Sequence, residues 1–174
     1  FGSTYLRSHV AVDHPPGTGT MAACLRARER TADIADVQLV PWCALGILHG
    51  DNVERMREAI RMGLDAGATV VVGGVDPATR NHDVERTIDA WLDLATAFDL
   101  GVDPHIQDGG TLGTYTLDRL LDKAESRGVA DRLTASHCFC LGHVKEWRFE
   151  ELAERLRETG TGVVTCYSST RCDW

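Results

Sequence analysis

Val102-Asp103-Pro104-His105-Ile106-Gln107-Asp108-Gly109-Gly110 reads as a short strand that alternates polar and apolar side chains and then runs into a carboxylate and a glycine pair. Successive strand residues point to opposite faces, so Asp103, His105 and Gln107 share one side while Pro104 and Ile106 share the other. An exposed hairpin strand alternates in the same way, but no hairpin turn follows. The glycines lead instead into a helical run, Tyr115 to Arg127, which is expected to cover the apolar face. The polar face is therefore expected to point into the protein.

Working outward, six β-rich runs recur: Thr4 to Val12, Asp36 to Pro41, Ala68 to Val72, Val102 to Gln107, Arg132 to Cys138 and Gly162 to Ser169, starting about every 30 to 34 residues. Between them lie segments of helical period: Val84, Ile88, Trp91, Leu92, Ala95 and Phe98; Val53, Met56 and Ile60; Leu117, Leu120, Leu121 and Ala124. Gly63, Gly67, Gly128 and Gly160 read as helix ends. Strands alternating with helices at this spacing imply a parallel sheet, either doubly wound or closed as a barrel. The first run separates the two. Central strands of an open doubly wound sheet are apolar on both faces, whereas Tyr5, Arg7, His9, Ala11 and Asp13 alternate against Leu6, Ser8, Val10 and Val12. A barrel with a site at its mouth accommodates that polar face. Six strands do not close eight, and the sequence both begins and stops on a strand pattern. The expectation is an α/β fold, a partial (β/α)8 TIM barrel forming a single domain over residues 1–174, with one β-α unit missing in front and one behind.

The composition is that of a globular chain: 174 residues, 43% hydrophobic, with no linker or low-complexity stretch. A net charge of -8 without basic runs argues against nucleic-acid and anionic-membrane partners and favours a neutral or cationic small ligand. Neither a membrane-length apolar stretch nor a signal-peptide pattern is seen, so a cytoplasmic location is expected. The six cysteines have no Cys-x-x-Cys spacing and are expected to be reduced. Cys138 and Cys140, beside His137, are read as buried small hydrophobes rather than ligands. Charges such as Glu150, Glu151, Glu154, Arg155 and Arg157 are read as solvated helix faces.

A barrel places chemistry at the C-terminal ends of its strands. His105 ends the fourth run and His137 the fifth, so on adjacent strands about 4.8 Å apart they could share one metal ion. Asp108, three residues beyond His105, would stand at the rim as a proton-exchanging carboxylate. Gly109-Gly110-Thr111-Leu112-Gly113 opens a helix but has neither dinucleotide nor P-loop spacing, so it is read as a tight turn with close backbone approach. Gly73-Gly74 receives the same reading.

The fourth and fifth runs together, Val102-Asp103-Pro104-His105-Ile106-Gln107-Asp108 and Arg132-Leu133-Thr134-Ala135-Ser136-His137, resemble the fifth and sixth strands of the cytosine-deaminase-like branch of the amidohydrolase superfamily. Tyr5-Leu6-Arg7-Ser8-His9-Val10-Ala11-Val12-Asp13 resembles that family's second strand, Asp36-Val37-Gln38-Leu39-Val40 its third and Val71-Val72-Gly73-Gly74-Val75-Asp76-Pro77 its fourth. The resemblance spans nearly the whole chain in order. It implies a metal-dependent hydrolase barrel, using one divalent ion (zinc or iron), that acts on C–N bonds of a small cyclic amide or amidine. By position, His105 and His137 match metal ligands and Asp108 the family's proton-shuttling carboxylate. Arg7 and His9, with Asp103, are assigned to a buried polar network. Trp42 and Gln107 are assigned to the substrate, Trp42-Cys43-Ala44 standing where cytosine deaminases carry Phe-Pro-Gln. The family's strand-one His-x-His and strand-eight aspartate have no counterpart, so the chain alone is expected to be inactive or weakly active. The alternative is a non-catalytic barrel fragment that self-associates through its open edges.

Overall fold

Six parallel strands, taken up in chain order, carry the structure, a computed structural model that describes residues 2–165. The elements are β1 (Tyr5–Ala11), α1 (Gly19–Arg30), β2 (Asp36–Trp42), α2 (Asn52–Asp65), β3 (Val72–Val75), α3 (Pro77–Asn81), α4 (Val84–Phe98), β4 (Val102–Ile106), α5 (Gly110–Ser126), β5 (Thr134–His137), α6 (Glu146–Thr159) and β6 (Gly162–Val164). β1 pairs with β2 from Tyr5↔Asp36 to Ala11↔Trp42. β2 is bridged to the segment leading into β3 at Leu39↔Val70, where Leu39 N–H donates to Thr69 O at 2.9 Å and Val71 N–H to Leu39 O at 3.0 Å. β3, β4, β5 and β6 then pair in that order. Among the described residues β1 and β6 do not pair with each other, so these strands form an open arc and no closed barrel is seen.

Each helix stripe expected from the sequence is buried against this arc. Met56 and Ile60 of α2, Ile88, Trp91 and Leu92 of α4, and Leu117, Leu120 and Leu121 of α5 are fully buried, in one cluster with Val10, Leu39, Val72, Val102, Ile106 and Ala135 of the strands. Strand alternation sends those side chains toward the helices and leaves the opposite face of the arc to the polar ones.

The structure moves several sequence boundaries. The third strand is Val72–Val75, not Ala68 to Val72. Gly73 and Gly74, read as a turn, lie inside it because the strand is approached closely from both sides. A Cβ on Gly73 would come within 2.7 Å of Pro41 O and 2.8 Å of Trp42 Cβ, and one on Gly74 would collide with the Trp91 indole. Gly63 is not a helix end either. It sits inside α2, where a Cβ would meet Val70 Cγ2 at 2.5 Å and Met21 Cε at 2.8 Å. Gly67, Gly128 and Gly160 do follow helices, each with positive φ. α5 starts at Gly110 rather than Tyr115, since Gly113 packs directly on the carbonyl of Asp108. β6 covers Gly162–Val164 and ends before Thr165; the rest of its expected run, 166–169, lies outside the described residues, as do Cys166 and Cys172. Cys43, Cys138 and Cys140 are buried free thiols; burial pushes Cys43 and Cys138 up to about 12 and Cys140 to about 11.

The helix charges are not all solvated faces. Neighbouring helices lie close enough for ion pairs to cross between them. Arg155 of α6 reaches Asp122 at 2.6 Å and Glu125 at 2.7 Å on α5, and α5 reaches α4 through Arg119–Glu85 at 2.5 Å and Lys123–Asp89 at 2.8 Å. Glu154–Arg157 stays on the exposed face. Hydrogen bonds from Arg119 and Lys123 hold the Glu85 carboxyl at about 2. A carboxyl depressed in the folded state contributes stability above its unfolded pKa of about 4.3 and loses it as the pH falls toward 2. Glu85→Gln is accordingly expected to flatten that acid limb in thermal unfolding across pH 2 to 5. The effect is kept under about 1 kcal/mol by the 40% exposure of the Glu85 side chain.

Candidate functional site

The strand register builds a polar wall on the concave face. Arg7 and His9 of β1 lie across the arc from Asp103 and His105 of β4, and β5 adds Ser136 and His137 beside them. At its centre is Asp103, 1% exposed. Arg7 Nη1 donates to its Oδ2 at 2.6 Å, Ser136 Oγ donates to its Oδ1 at 2.6 Å, and His9 Nε2 stands 3.7 Å from Oδ2. Arg7 Nε donates to Gln38 Oε1 at 2.5 Å, fixing the guanidinium between β2 and β4. Burying a carboxylate is costly unless it is paired and hydrogen-bonded, and these partners satisfy it.

Above this pair runs a file of imidazoles. His9 Nδ1 lies 2.8 Å from His105 Nε2, and His105 Nδ1 lies 3.1 Å from His137 Nε2. Each contact needs one proton between two nitrogens, so a neutral file carries its protons in a consistent direction. With Asp103 facing His9 Nε2, that nitrogen holds a proton, His105 Nε2 and His137 Nε2 donate in turn, and His137 Nδ1 is left with a free lone pair. His137 Nδ1 is buried and without a partner. All three rings are kept neutral: burial lowers His105 to about 4, with the neighbouring His9 and His137 adding to the shift, and burial also lowers His9 and His137 against the pull of Asp103.

Trp42 reaches this file from two strands away. Its ring stacks on His105 with centroids 5.1 Å apart and planes 8° from parallel. The bare Gly73 of the intervening β3 lets it cross. Asp108 lies just past β4; burial raises its pKa, a hydrogen bond with the Thr79 side chain opposes the rise, and its Oδ2 is buried without a partner. Gln107 has an exposed side chain beyond the strand end. A cavity of about 460 Å³ is lined by Tyr5, Arg7, His9, His105, Ser136 and His137 among others, but not by Trp42, Gln107 or Asp108. A hollow of about 590 Å³ at the opposite strand ends, around Leu64, Asp99 and Arg132, holds no histidine.

The sequence-predicted residues thus separate into two groups. Arg7, His9, Asp103, His105 and His137 converge, with Trp42 stacked against them, whereas Gln107 and Asp108 stand at the rim. Ser136 and Gln38, which also belong to the network, stand in the fifth and second strand runs but carry no signal of their own in the sequence. Asp76, whose carboxylate bonds the loop after β4, was missed from the sequence.

Neutral, half-buried imidazoles and one buried nitrogen without a partner are the donor chemistry a divalent zinc or iron ion takes. Their number falls short, however. Among the described residues no group of three His, Cys, Asp or Glu side chains is placed to hold a metal ion, because the rings offer nitrogens to one another rather than to one point. The described residues fit part of a metal site and not a whole one.

Proteins of the amidohydrolase superfamily are similar to this chain along nearly its whole length, as the resemblance implied. Over 169 residues, 97% of its length, it is 37% identical to N-isopropylammelide isopropyl amidohydrolase of Pseudomonas sp. (strain ADP). The crystal structure of N-isopropylammelide isopropylaminohydrolase from Burkholderia multivorans matches 94% of the chain with a TM-score of 0.87 at 32% identity. That of 5-methylcytosine deaminase from Klebsiella pneumoniae liganded with phosphonocytosine matches 94% at 0.80 and 28%. The chain spans 41% of the length of the Pseudomonas relative and 39–41% of the two solved chains. No family model matches it. By name these relatives are an amidohydrolase, an aminohydrolase and a deaminase. Among the described residues no helix is long and apolar enough to cross a membrane.

Proposed function

We propose that the chain forms an arc of a (β/α)8 amidohydrolase barrel whose whole protein hydrolyses a C–N bond on a small nitrogen heterocycle. The carrying observation is the His9–His105–His137 file over Asp103, near the C-terminal ends of β1, β4 and β5, in a chain matched along nearly its whole length by C–N hydrolases. His105 and His137 would hold one divalent ion, zinc or iron, together with ligands from outside the described residues. Such an ion, when bound, supplies Lewis-acid activation of water.

The chain's own groups do the rest. Water adds to the ring carbon, that carbon's bond to the exocyclic nitrogen breaks, and the nitrogen leaves as amine or ammonia. Asp108, its pKa raised by burial, takes the proton from the attacking water and gives it to the leaving nitrogen. Asp103 holds Arg7 and Ser136 in place beneath the imidazoles, and Trp42 holds His105 by its flat face. Gln107, exposed at the rim, is available to hydrogen-bond a substrate entering over it.

Metal content tests this reading. In the whole protein carrying this stretch, elemental analysis is expected to find about one zinc or iron per chain. His105→Ala and His137→Ala are each expected to abolish it, and with it the release of amine from N-isopropylammelide or of ammonia from 5-methylcytosine. The described stretch alone is expected to bind weakly and turn over little, since a catalytic zinc takes three protein ligands. Full metal occupancy in both alanine variants would overturn the assignment.

A second reading has its own observation. Tyr5 and Leu6 of β1 and Val163 and Val164 of β6 are exposed, and both strands are edges of the arc. Such edges invite pairing with a second copy. Sedimentation equilibrium on this stretch then shows a dimer or larger species, and a monomer at all concentrations rejects it.

A further inference from the structure

We propose that Asp76 is a positioning residue for Asp108, holding the loop after β4 in the shape that aims the proton-shuttling carboxylate; this rests on the reading of Asp108 given above. Asp76 follows the last residue of β3 and is 6% exposed. Its Oδ1 accepts two consecutive backbone N–H groups of the neighbouring strand's loop, from Gln107 at 2.6 Å and from Asp108 at 3.2 Å. Its own N–H donates to His105 O at 3.0 Å. One residue therefore brackets the segment from His105 to Asp108 at both ends.

Two features separate this from ordinary capping. Asp76 stands at the N-terminus of α3 but makes no side-chain bond to that helix; its carboxylate serves the adjacent loop. Its backbone also lies at φ 23°, ψ 77°, a conformation that side-chain-bearing residues rarely adopt and that persists only where the surroundings impose it. The end of β5 shows the same tension, with His137 at φ 73° and Cys138 at φ 48°. Strain of this kind gathers where a chain holds reactive groups in place. A buried carboxylate bonding two successive amides sets their directions, and with them the direction of the Asp108 side chain.

The test is made on the whole protein with the same amine-release probe, measuring kcat, KM and thermal unfolding for Asp76→Ala, Asp76→Asn and Asp108→Asn. Loss of aim on the order of 1 Å costs on the order of 100-fold in rate. Asp76→Ala is therefore expected to lower kcat by about that factor with KM within about threefold. Asp76→Asn keeps an oxygen able to accept both N–H groups, at the cost of their charge assistance, and is expected to stay within about tenfold of the parent. Amide hydrogen exchange at Gln107 and Asp108 is expected to quicken in the alanine variant and not in the asparagine one. Should Asp76→Ala not fold, the asparagine variant decides alone: a loss as large as 100-fold overturns the proposal. It is also overturned if Asp76→Ala folds and keeps its kcat, or if alanine and asparagine lose rate equally. Full turnover in Asp108→Asn instead overturns the shuttle reading, and the positioning role falls with it. An inactive Asp108→Asn beside an active Asp76→Ala overturns the positioning role alone.

Discussion

Asp103→Ala is expected to destabilise the protein by about 3 kcal/mol, lowering Tm by roughly 6 to 12 °C in a domain of this size. The carboxylate is 1% exposed and holds Arg7 at 2.6 Å and Ser136 at 2.6 Å. Removing it leaves a guanidinium and a hydroxyl facing a vacated space. The figure sits at the low end of what breaking a buried pair costs, because the Arg7 side chain keeps 31% of its surface and recovers some hydration. Replacing both partners by apolar side chains, Arg7→Met with Asp103→Leu, is expected to cost less than Asp103→Ala alone, since no charge is then stranded. Urea unfolding of the three chains measures this. A loss below about 1 kcal/mol for Asp103→Ala shows that water already satisfies the network, and the order assigned to the imidazole file loses its anchor.

Gly74→Ala is the second large effect, expected at about 3 kcal/mol, the upper part of the usual range for overpacking. The added methyl would occupy the space of the Trp91 indole, whose side chain is 1% exposed and enclosed by the core behind β3. Neither element can yield, for the strand is paired with β4 and the indole is walled in. Trp91→Phe, by opening space, is expected to return part of the loss in the double variant, although the single change is itself destabilising. Urea denaturation of the four-member cycle gives the coupling. Additive losses mean that the strand shifts instead, and the close approach of β3 to α4 is not what requires glycine there.

The helix stripes were legible in the sequence because burial imposes a period: Ile88, Trp91, Leu92 and Ala95 recur at helical spacing whatever they pack against. The polar face of β1 and β4 was legible for the same reason at period two. Glycine was the ambiguous letter. Gly73 and Gly74 within a strand, Gly63 within a helix and Gly113 in the first turns of α5 follow from neighbours distant in the chain, namely Pro41 and Trp42, Trp91, Met21, and Cys140. α1 was given no stripe by the sequence, and Met21 is its one buried residue.

In the candidate site, His105, His137 and Asp108 drew notice through residue type and position at strand ends. Asp76 did not, since an aspartate before proline reads as a helix start, and only the packing of β3 against β4 turns its carboxylate toward the next loop. The sequence by itself determined that strands alternate with helices in parallel and that Arg7, His9, Asp103 and His105 share a polar face, because local periodicity follows from burial alone. The tertiary structure decided which of those groups touch. It curled β1 toward β4 so that residues 96 positions apart bond, brought Trp42 across Gly73 onto His105, and left Asp108 at the rim. Such contacts depend on curvature and register between strands, which no single stretch of sequence encodes.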